Sequence, residues 1–463
     1  MKIELKTPLT AETIRRVTNA ACTAEGASIR YIATHSTEVV GRDTLFLALK
    51  GERSCGEQFR DEVISRGGYL LTEGKGEKSF TVSSVPEALF ALAKEHLSHL
   101  HALKHTIGIT GSTGKTTTKE LLFRLLSPVF RTHATAGNQN SEIGLPLTIL
   151  AAREDAEVLI LEMGMNHKGE IARLSRLCAP DLAIITNIGH AHIGNLGSRA
   201  AIAEAKKEIL LGAKAHAIVL VPADEPLLAD VRGRKTVSTR GEDADYSVCK
   251  NTEKEGYVLR NRDGGQVHLL HETKDEGLIS AMAFAYAAAM ELKIENEQIS
   301  CANFDFTTNI FRQKELLLDK MKIIFDAYNA SFESVLCAIQ THLSTPASTR
   351  ALLLGDMLEL GVFAEELHER IGYACAAARD GIHQLYLFGA QAETIASAAI
   401  RKGFEEKSIF INADADRPDI TSEQILRNAR EGTCLWIKGA RGMHMERILD
   451  ILTKTLGGDP HDG

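Results

Sequence analysis

No stretch of this chain is apolar for long enough to cross a membrane. The longest apolar run, Leu278 to Met290, is rich in alanine and reads as a buried helix. A signal-peptide core is missing too, since Met1-Lys2-Ile3-Glu4-Leu5-Lys6 alternates charged with apolar residues. The basic excess expected of a nucleic-acid partner is absent: 53 Lys and Arg stand against 61 Asp and Glu, a net charge of -8. Eight cysteines are scattered at 22, 55, 178, 249, 301, 337, 375 and 434, with no C-x-x-C pair and no histidine cluster beside them. That spacing argues against a disulfide framework or a zinc site and predicts reduced thiols, mostly buried, in a cytoplasmic protein. The guanine-reading N-K-x-D and the dinucleotide signature G-x-G-x-x-G are also missing. What remains is a globular composition, 44% apolar and 25% charged over 463 residues, enough for about three domains with separate cores.

Thr106 to Glu120, T-I-G-I-T-G-S-T-G-K-T-T-T-K-E, is the most informative stretch. An apolar segment enters Gly111-Ser112-Thr113-Gly114-Lys115-Thr116-Thr117, and the helix former Lys119-Glu120-Leu121-Leu122 follows. Strand, loop and helix in that order aim successive backbone N–H groups and a helix N-terminus at one spot, where an oligophosphate fits. Lys115 is then placed to reach the terminal phosphates and Thr116 to offer its hydroxyl to magnesium. The usual G-x-x-x-x-G-K-[ST] pattern would put its first glycine at Ile109, so the match is incomplete.

Before this loop the chain reads as a small α/β module, with a helix from Ala11 to Cys22 capped by Thr10 and a strand from Thr44 to Leu49 closed by Lys50-Gly51. After it, strands at Val158 to Leu161, Leu182 to Thr186 and Ala217 to Val221 predict a mostly parallel sheet, with ligands at the carboxyl ends of its strands. Glu162 ends one such strand, where an acid meets a hard cation. His192 follows another in Thr186-Asn187-Ile188-Gly189-His190-Ala191-His192, either as a site residue or as a surface histidine. Lys206 and Lys207 fall in a predicted helix from Ala201 to Leu211, which by spacing alone is a solvated face. Gly137 to Pro146 is a turn-rich loop containing Asn140, and Asp245 to His271 reads as an appended hairpin. The last part repeats strand and helix, with strands at Lys322 to Phe325, Ala351 to Leu354, Gln384 to Phe388 and Leu435 to Lys438, a Rossmann-like pattern. Lys438 and Arg441 there either grip an anion or are solvated cations beside a turn.

Together these stretches resemble the Mur ligases, ATP-dependent enzymes that build the peptide of bacterial peptidoglycan, and above all their D-alanyl-D-alanine-adding branch. The likeness rests on the phosphate loop, which in this family also lacks the first glycine, and on Gly137-Asn138-Gln139-Asn140 with Gly144-Leu145-Pro146. Leu161-Glu162-Met163-Gly164, Thr186 to His192 and Ala205-Lys206 extend it. Asp326-Ala327-Tyr328-Asn329-Ala330, Leu354 to Gly361 with His368, and Lys438 to Glu446 point to the branch, and D-N-P-R of some diaminopimelate-adding relatives is missing. The chain departs from the family at His35-Ser36-Thr37, where Asp-Ser-Arg is usual, and at Glu276 to Ala281, where H-N-x-x-N-A is usual. Ser331 and Phe332 replace the last two residues of N-A-N-P.

The resemblance implies three domains of α/β class: 1–102 binding the UDP-sugar, 103–309 a P-loop ATPase-type sheet, and 310–463 a Rossmann-like domain for the incoming dipeptide. It implies ATP on Gly111 to Thr117 with Asn140, magnesium on Thr116, Glu162 and His192, and a carbamylated Lys206 bridging to the second ion. Lys115, Glu162, His192 and Lys206 carry the catalytic expectation, and Arg312, Asp326 and Asn329 are expected to reach the nucleotide on domain closure. Ser36, Lys50 and Gly51 are expected on UDP-N-acetylmuramoyl-tripeptide, and Asp356, Lys438 and Arg441 on D-alanyl-D-alanine. A cytoplasmic monomer is expected. The rival readings are another Mur-type ligase, a folylpolyglutamate synthase, or a P-loop kinase or NTPase.

Overall fold

The computed structural model describes residues 1–51, 54–240, 243–251, 256–269, 275–295, 314–319 and 321–457. Arg312, Cys301 and the expected boundary near 309 lie outside the described residues. The described residues build three sheets in sequence order, matching the expectation of an α/β chain of three domains.

The first sheet has six strands, in the order Lys2–Thr10, Ser28–Ala33, Thr44–Leu47, Tyr69–Thr72, Ser79–Thr81 and Ala21–Cys22. Its inner pairs are parallel and its two outer pairs antiparallel. Thr10 caps the helix Ala11–Thr18 by accepting from Thr13 N, as the sequence predicts. That helix stops four residues short of the expected Cys22. Asn19 turns left-handed at φ 54, and Ala21–Cys22 then pairs as an edge strand with Ser79–Thr81.

The second sheet has nine strands, seven of them parallel, beginning with the run Arg234–Ser238, Ile218–Pro222, Leu182–Ile185, His105–Thr110, Val158–Glu162 and Thr132–Ala134. Tyr246–Lys250 extends the sheet in parallel, and Tyr257–Asn261 with Gln266–Leu269 forms the predicted antiparallel hairpin. The strands are buried on both faces, because alternate residues enter different cores. Ile107 and Ile109 join Leu121, Leu122 and the alanine-rich helix Glu276–Glu291, while Leu159 and Leu161 face the other way. Full burial of one such side chain is worth about 1.5–3 kcal/mol, so Ile107 and Ile109 anchor the strand carrying the phosphate loop on one face while the neighbouring strand anchors the sheet on the other.

The third sheet places Lys314–Leu318, Met321–Asp326, Thr433–Lys438, Thr349–Gly355, Gln384–Phe388 and Ile409–Asn412 side by side, parallel except for the first. Its centre is Thr433–Lys438, buried throughout. The thiol expectation is only partly met. Cys178, Cys375 and Cys434 are buried, but Cys22, Cys249 and Cys337 are half-buried and Cys55 is exposed.

Candidate functional site

The loop after His105–Thr110 turns at two glycines. Gly114 sits at φ 78 and precedes the helix Lys115–Leu126. Gly111 sits at φ 152, and a Cβ there would meet Thr186 Oγ1 at 1.8 Å. The neighbouring strand end holds the loop from outside. Asn187 Oδ1 accepts from Ser112 N and Thr113 N, both at 2.9 Å, and Thr186 Oγ1 donates to Thr113 O at 2.6 Å. Lys115 Nζ folds onto the loop, donating to Gly111 O at 2.6 Å. Asn187 thus occupies the Ser112 and Thr113 amides and fixes the loop, and an anion here meets the N-terminus of the helix Lys115–Leu126.

Glu162 ends the adjacent strand Val158–Glu162, 1% exposed. It accepts from Thr116 Oγ1 at 2.8 Å and from Asn140 Nδ2 at 2.7 Å, so three expected site residues meet in one hydrogen-bonded group. A hydroxyl and a carboxylate held together at the mouth of a phosphate loop are hard oxygen donors of the kind magnesium takes. Among the described residues no three His, Cys, Asp or Glu side chains converge on a cation position. A cation here would complete its shell with phosphate oxygens and water.

A cleft of about 320 Å³ opens over this group. One wall carries Ser112 to Thr117, Asn140, Glu162 and His192; the opposite wall carries Asp326, Tyr328, Asn329 and Lys438 from the third sheet. The walls are joined by polar contacts. Glu333 Oε1 accepts from His190 N at 3.0 Å and meets His190 Nδ1 at 2.5 Å. His192 Nδ1 lies 2.7 Å from Glu359 Oε2, and Gly194 N donates to Glu359 O at 3.1 Å. The imidazole of His192 holds the Glu359 carboxyl below its usual range, ahead of the opposing effect of burial.

Family models match residues 109–285 as a Mur ligase middle domain and residues 312–441 as a Mur ligase, glutamate ligase domain. The UDP-N-acetylmuramoyl-tripeptide–D-alanyl-D-alanine ligase of Bacillus subtilis (strain 168) is 35% identical over 445 residues, covering 93% of this chain and 94% of that one. The chain belongs to the Mur ligase family. The Escherichia coli (strain K12) ligase of the same name is 28% identical, with 92% of this Mur ligase and 95% of that protein covered. Among solved structures, MurF from Acinetobacter baumannii has a TM-score of 0.81 at 26% identity, covering 98% of this chain and 100% of that one. MurF from Thermotoga maritima, in complex with ADP, has a TM-score of 0.76 at 29% identity, covering 92% and 97%.

Other expected site residues of this Mur ligase lie elsewhere. Lys206 is on the helix Arg199–Lys207 and is 1% exposed, whereas Lys207 turns out to pair with Glu204 and Asp230. The solvated-face reading therefore fails for Lys206, and Lys207 is mostly buried as well, 14% exposed, within its two ion pairs. Lys206 is not on the cleft's lining; burial first, then the charge of Lys115, pushes its ammonium far down. Asp356 accepts from Ala390 N and Gln391 N at 2.9 and 3.1 Å and is not on the cleft's lining. Arg441 is exposed and stacks its guanidinium 5.5 Å from the Tyr328 ring, at the cleft's edge. Ser36, buried, and Lys50, exposed and paired with Glu73, belong with Gly51 to the first sheet's loops and do not line the cleft.

Lys438 does line it, 5% exposed, with Nζ 3.0 Å from Asp326 Oδ2 and donating to Asn329 O at 2.9 Å. Sequence reasoning missed Glu333 and Glu359. Glu333 is one acid among many with no spacing signal to mark it, and Glu359 stands within the Leu354 to Gly361 stretch but was given no role of its own.

Proposed function

We propose that this Mur ligase joins D-alanyl-D-alanine to UDP-N-acetylmuramoyl-tripeptide with conversion of ATP to ADP and phosphate. The observation that carries this reading is the single cleft in which the phosphate loop faces Asp326, Tyr328, Asn329 and Lys438 of another sheet. A phosphorylated carboxylate made on one wall then meets an amine held on the other without leaving the site. The names of relatives spanning more than nine-tenths of the chain supply the substrates.

In the reaction, the tripeptide's terminal carboxylate attacks the γ-phosphorus; the acyl phosphate forms as the bond to ADP breaks. The dipeptide's neutral amine adds to the acyl carbon, and the tetrahedral intermediate expels phosphate and loses a proton to give the amide. Lys115 follows the charge moving onto the β–γ bridging oxygen, and the N-terminus of the helix Lys115–Leu126 orients the chain of phosphates. Magnesium, held through Thr116 and Glu162, would neutralise phosphate oxygens during transfer. His192 lines the same cleft and is our further candidate ligand.

Residues 1–102 hold the UDP-sugar through Ser36, Lys50 and Gly51 in this reading, 103–309 hold ATP, and 310–463 bring the dipeptide, with Asp356 and Arg441 shaping its approach. The enzyme works in the cytoplasm. Carbamylation of Lys206 is the finer part of the proposal: burial favours the neutral amine that adds carbon dioxide, and nearby Lys115 favours the anion produced.

The test is phosphate release and product mass with ATP, magnesium and UDP-N-acetylmuramoyl-tripeptide, with and without D-alanyl-D-alanine. Release that requires the dipeptide, with a mass gain of one dipeptide less water, supports the ligase. Release indifferent to the dipeptide would sink it in favour of an NTPase.

A further inference from the structure

The turn from His190 to Gly194 is gripped by two carboxylates that belong to the third sheet. Glu333, at the start of the helix Phe332–Ser344, meets His190 at its backbone N and at Nδ1. Glu359, in the loop after the strand Thr349–Gly355, lies with Oε2 2.7 Å from His192 Nδ1. The two histidines differ in what their rings reach. His192 lines the cleft beside Thr116 and Glu162, whereas His190 is not on its lining. His192 Nδ1 is buried against Glu359, short of the alignment of a full hydrogen bond, and this leaves Nε2 as the ring nitrogen for the cleft.

The backbone holds this pairing in place. His192 and Glu359 are both left-handed, at φ 65 and 62, a conformation that residues with side chains rarely adopt and that the surroundings must impose. Gly194 N donates to Glu359 O at 3.1 Å. The fit admits no side chain at Gly194, where a Cβ would meet Glu359 O and Gly361 N, each at 2.6 Å. Backbone docking therefore presents Glu359 to His192. The Glu359 side chain itself, 54% exposed, fills no core.

An imidazole that ligates a cation through one nitrogen is oriented by the partner of the other. A carboxylate on that second nitrogen fixes the tautomer, so that the lone pair stands on the cleft side, and makes the ring a stronger donor. We infer that Glu359 is a positioning residue for His192, so that the third sheet's loop completes the cation site built by Thr116, Glu162 and His192 on the second. Glu359 is not on the cleft's lining and acts only through the imidazole. The cation is then held best when the two loops are docked, and by linkage the bound cation favours that docking. The inference rests on the magnesium site of the reaction proposed above and adds the residue that tunes it.

The probe is manganese(II), which stands in for magnesium and reports a coordinated nitrogen as echo modulation in pulsed EPR. It is titrated into the full chain with ADP present, and the nitrogen modulation that His192→Ala abolishes is followed. In Glu359→Gln the manganese concentration for half of that signal should rise about tenfold, the low end for a carboxylate behind a metal-bound histidine, because this one is half exposed. Gly194→Ala, which pushes the Glu359 loop away, should give a rise of similar size, and the double variant should be no worse than either alone. A rise below about threefold in Glu359→Gln overturns the inference and leaves the pair as a tie between two loops. Additive losses in the double variant overturn it too, as does a wild type without the His192-dependent modulation. Phosphate release is assayed alongside on the same protein. If release requires the dipeptide but the modulation is absent, the inference fails and the ligase reading stands. If the modulation depends on Glu359 but release is indifferent to the dipeptide, the cation site stands and the ligase reading fails.

Discussion

The Asp326–Lys438 pair gives the sharpest energetic prediction. Lys438 is 5% and Asp326 14% exposed, at 3.0 Å, on the adjacent strands Met321–Asp326 and Thr433–Lys438. Lys438→Met leaves the carboxylate without its cation. Removing one partner of a buried pair costs about 3–5 kcal/mol, and the residual exposure of Asp326 brings our figure to about 2–4 kcal/mol near pH ~8. Burial already pushes the Asp326 carboxyl above its usual range despite the pull of Lys438, so the variant raises it further. A raised folded pKa means the folded state keeps a proton the unfolded state has released, and stability falls as pH rises through it. The deficit of Lys438→Met should therefore be largest near pH ~8 and shrink toward pH ~5, at about 1.4 kcal/mol per unit of pKa shift. Urea unfolding followed through Trp436, the single tryptophan, which is buried on the same strand as Lys438, reads this directly. Asp326→Asn with Lys438→Met should recover at least half of the loss. A deficit below about 0.5 kcal/mol, or one that does not change with pH, refutes the reasoning.

Lys115→Ala should lower kcat/KM by about 10³-fold or more with the fold intact, since its charge acts where the phosphoryl group moves; near-normal turnover rejects the role. Gly111→Ala should weaken ADP binding by about thirtyfold or more by titration, because its Cβ would displace Thr186 Oγ1 from 1.8 Å and loosen the loop. Glu162→Gln should raise the magnesium concentration for half-maximal activity by about tenfold, as a neutral amide oxygen replaces a carboxylate; an unchanged magnesium curve excludes Glu162 as a ligand. Burial pushes the His342 imidazole down to about 4 while it holds Ala351 O at 3.0 Å. A depressed folded pKa gives stability present above the usual ~6.5 and lost as pH falls toward ~4, about 3 kcal/mol in all. His342→Leu should flatten that acid slope in the Trp436 unfolding signal.

The phosphate loop was legible because its chemistry is local. Strand, glycines, lysine, hydroxyl and helix sit within fifteen consecutive residues, and their backbone geometry follows from residue type. Glu162 and Asn140 were legible once the strand end and the turn were placed, and the structure joins them through Thr116. Helix ends were less legible: Ala11–Thr18 stops early because an edge strand claims Ala21–Cys22, a competition settled by Ser79–Thr81 far along the chain. The strands Thr132–Ala134 and Arg234–Ser238 escaped detection because short edge or mixed segments carry little period.

The sequence by itself determined the α/β alternation, the anion-binding loop and the residue types able to meet phosphate and a hard cation, since each depends on neighbours within a few positions. Only the tertiary structure decided that Lys206 turns inward while Lys207 pairs with Glu204 and Asp230, that Asp356 binds backbone amides, and that Lys438 is held by Asp326. It alone brought Glu333 to His190 and Glu359 to His192. These outcomes depend on burial and, for Lys438, Glu333 and Glu359, on partners more than a hundred residues away, and an acid or a lysine in sequence carries no record of which face the packed core will claim.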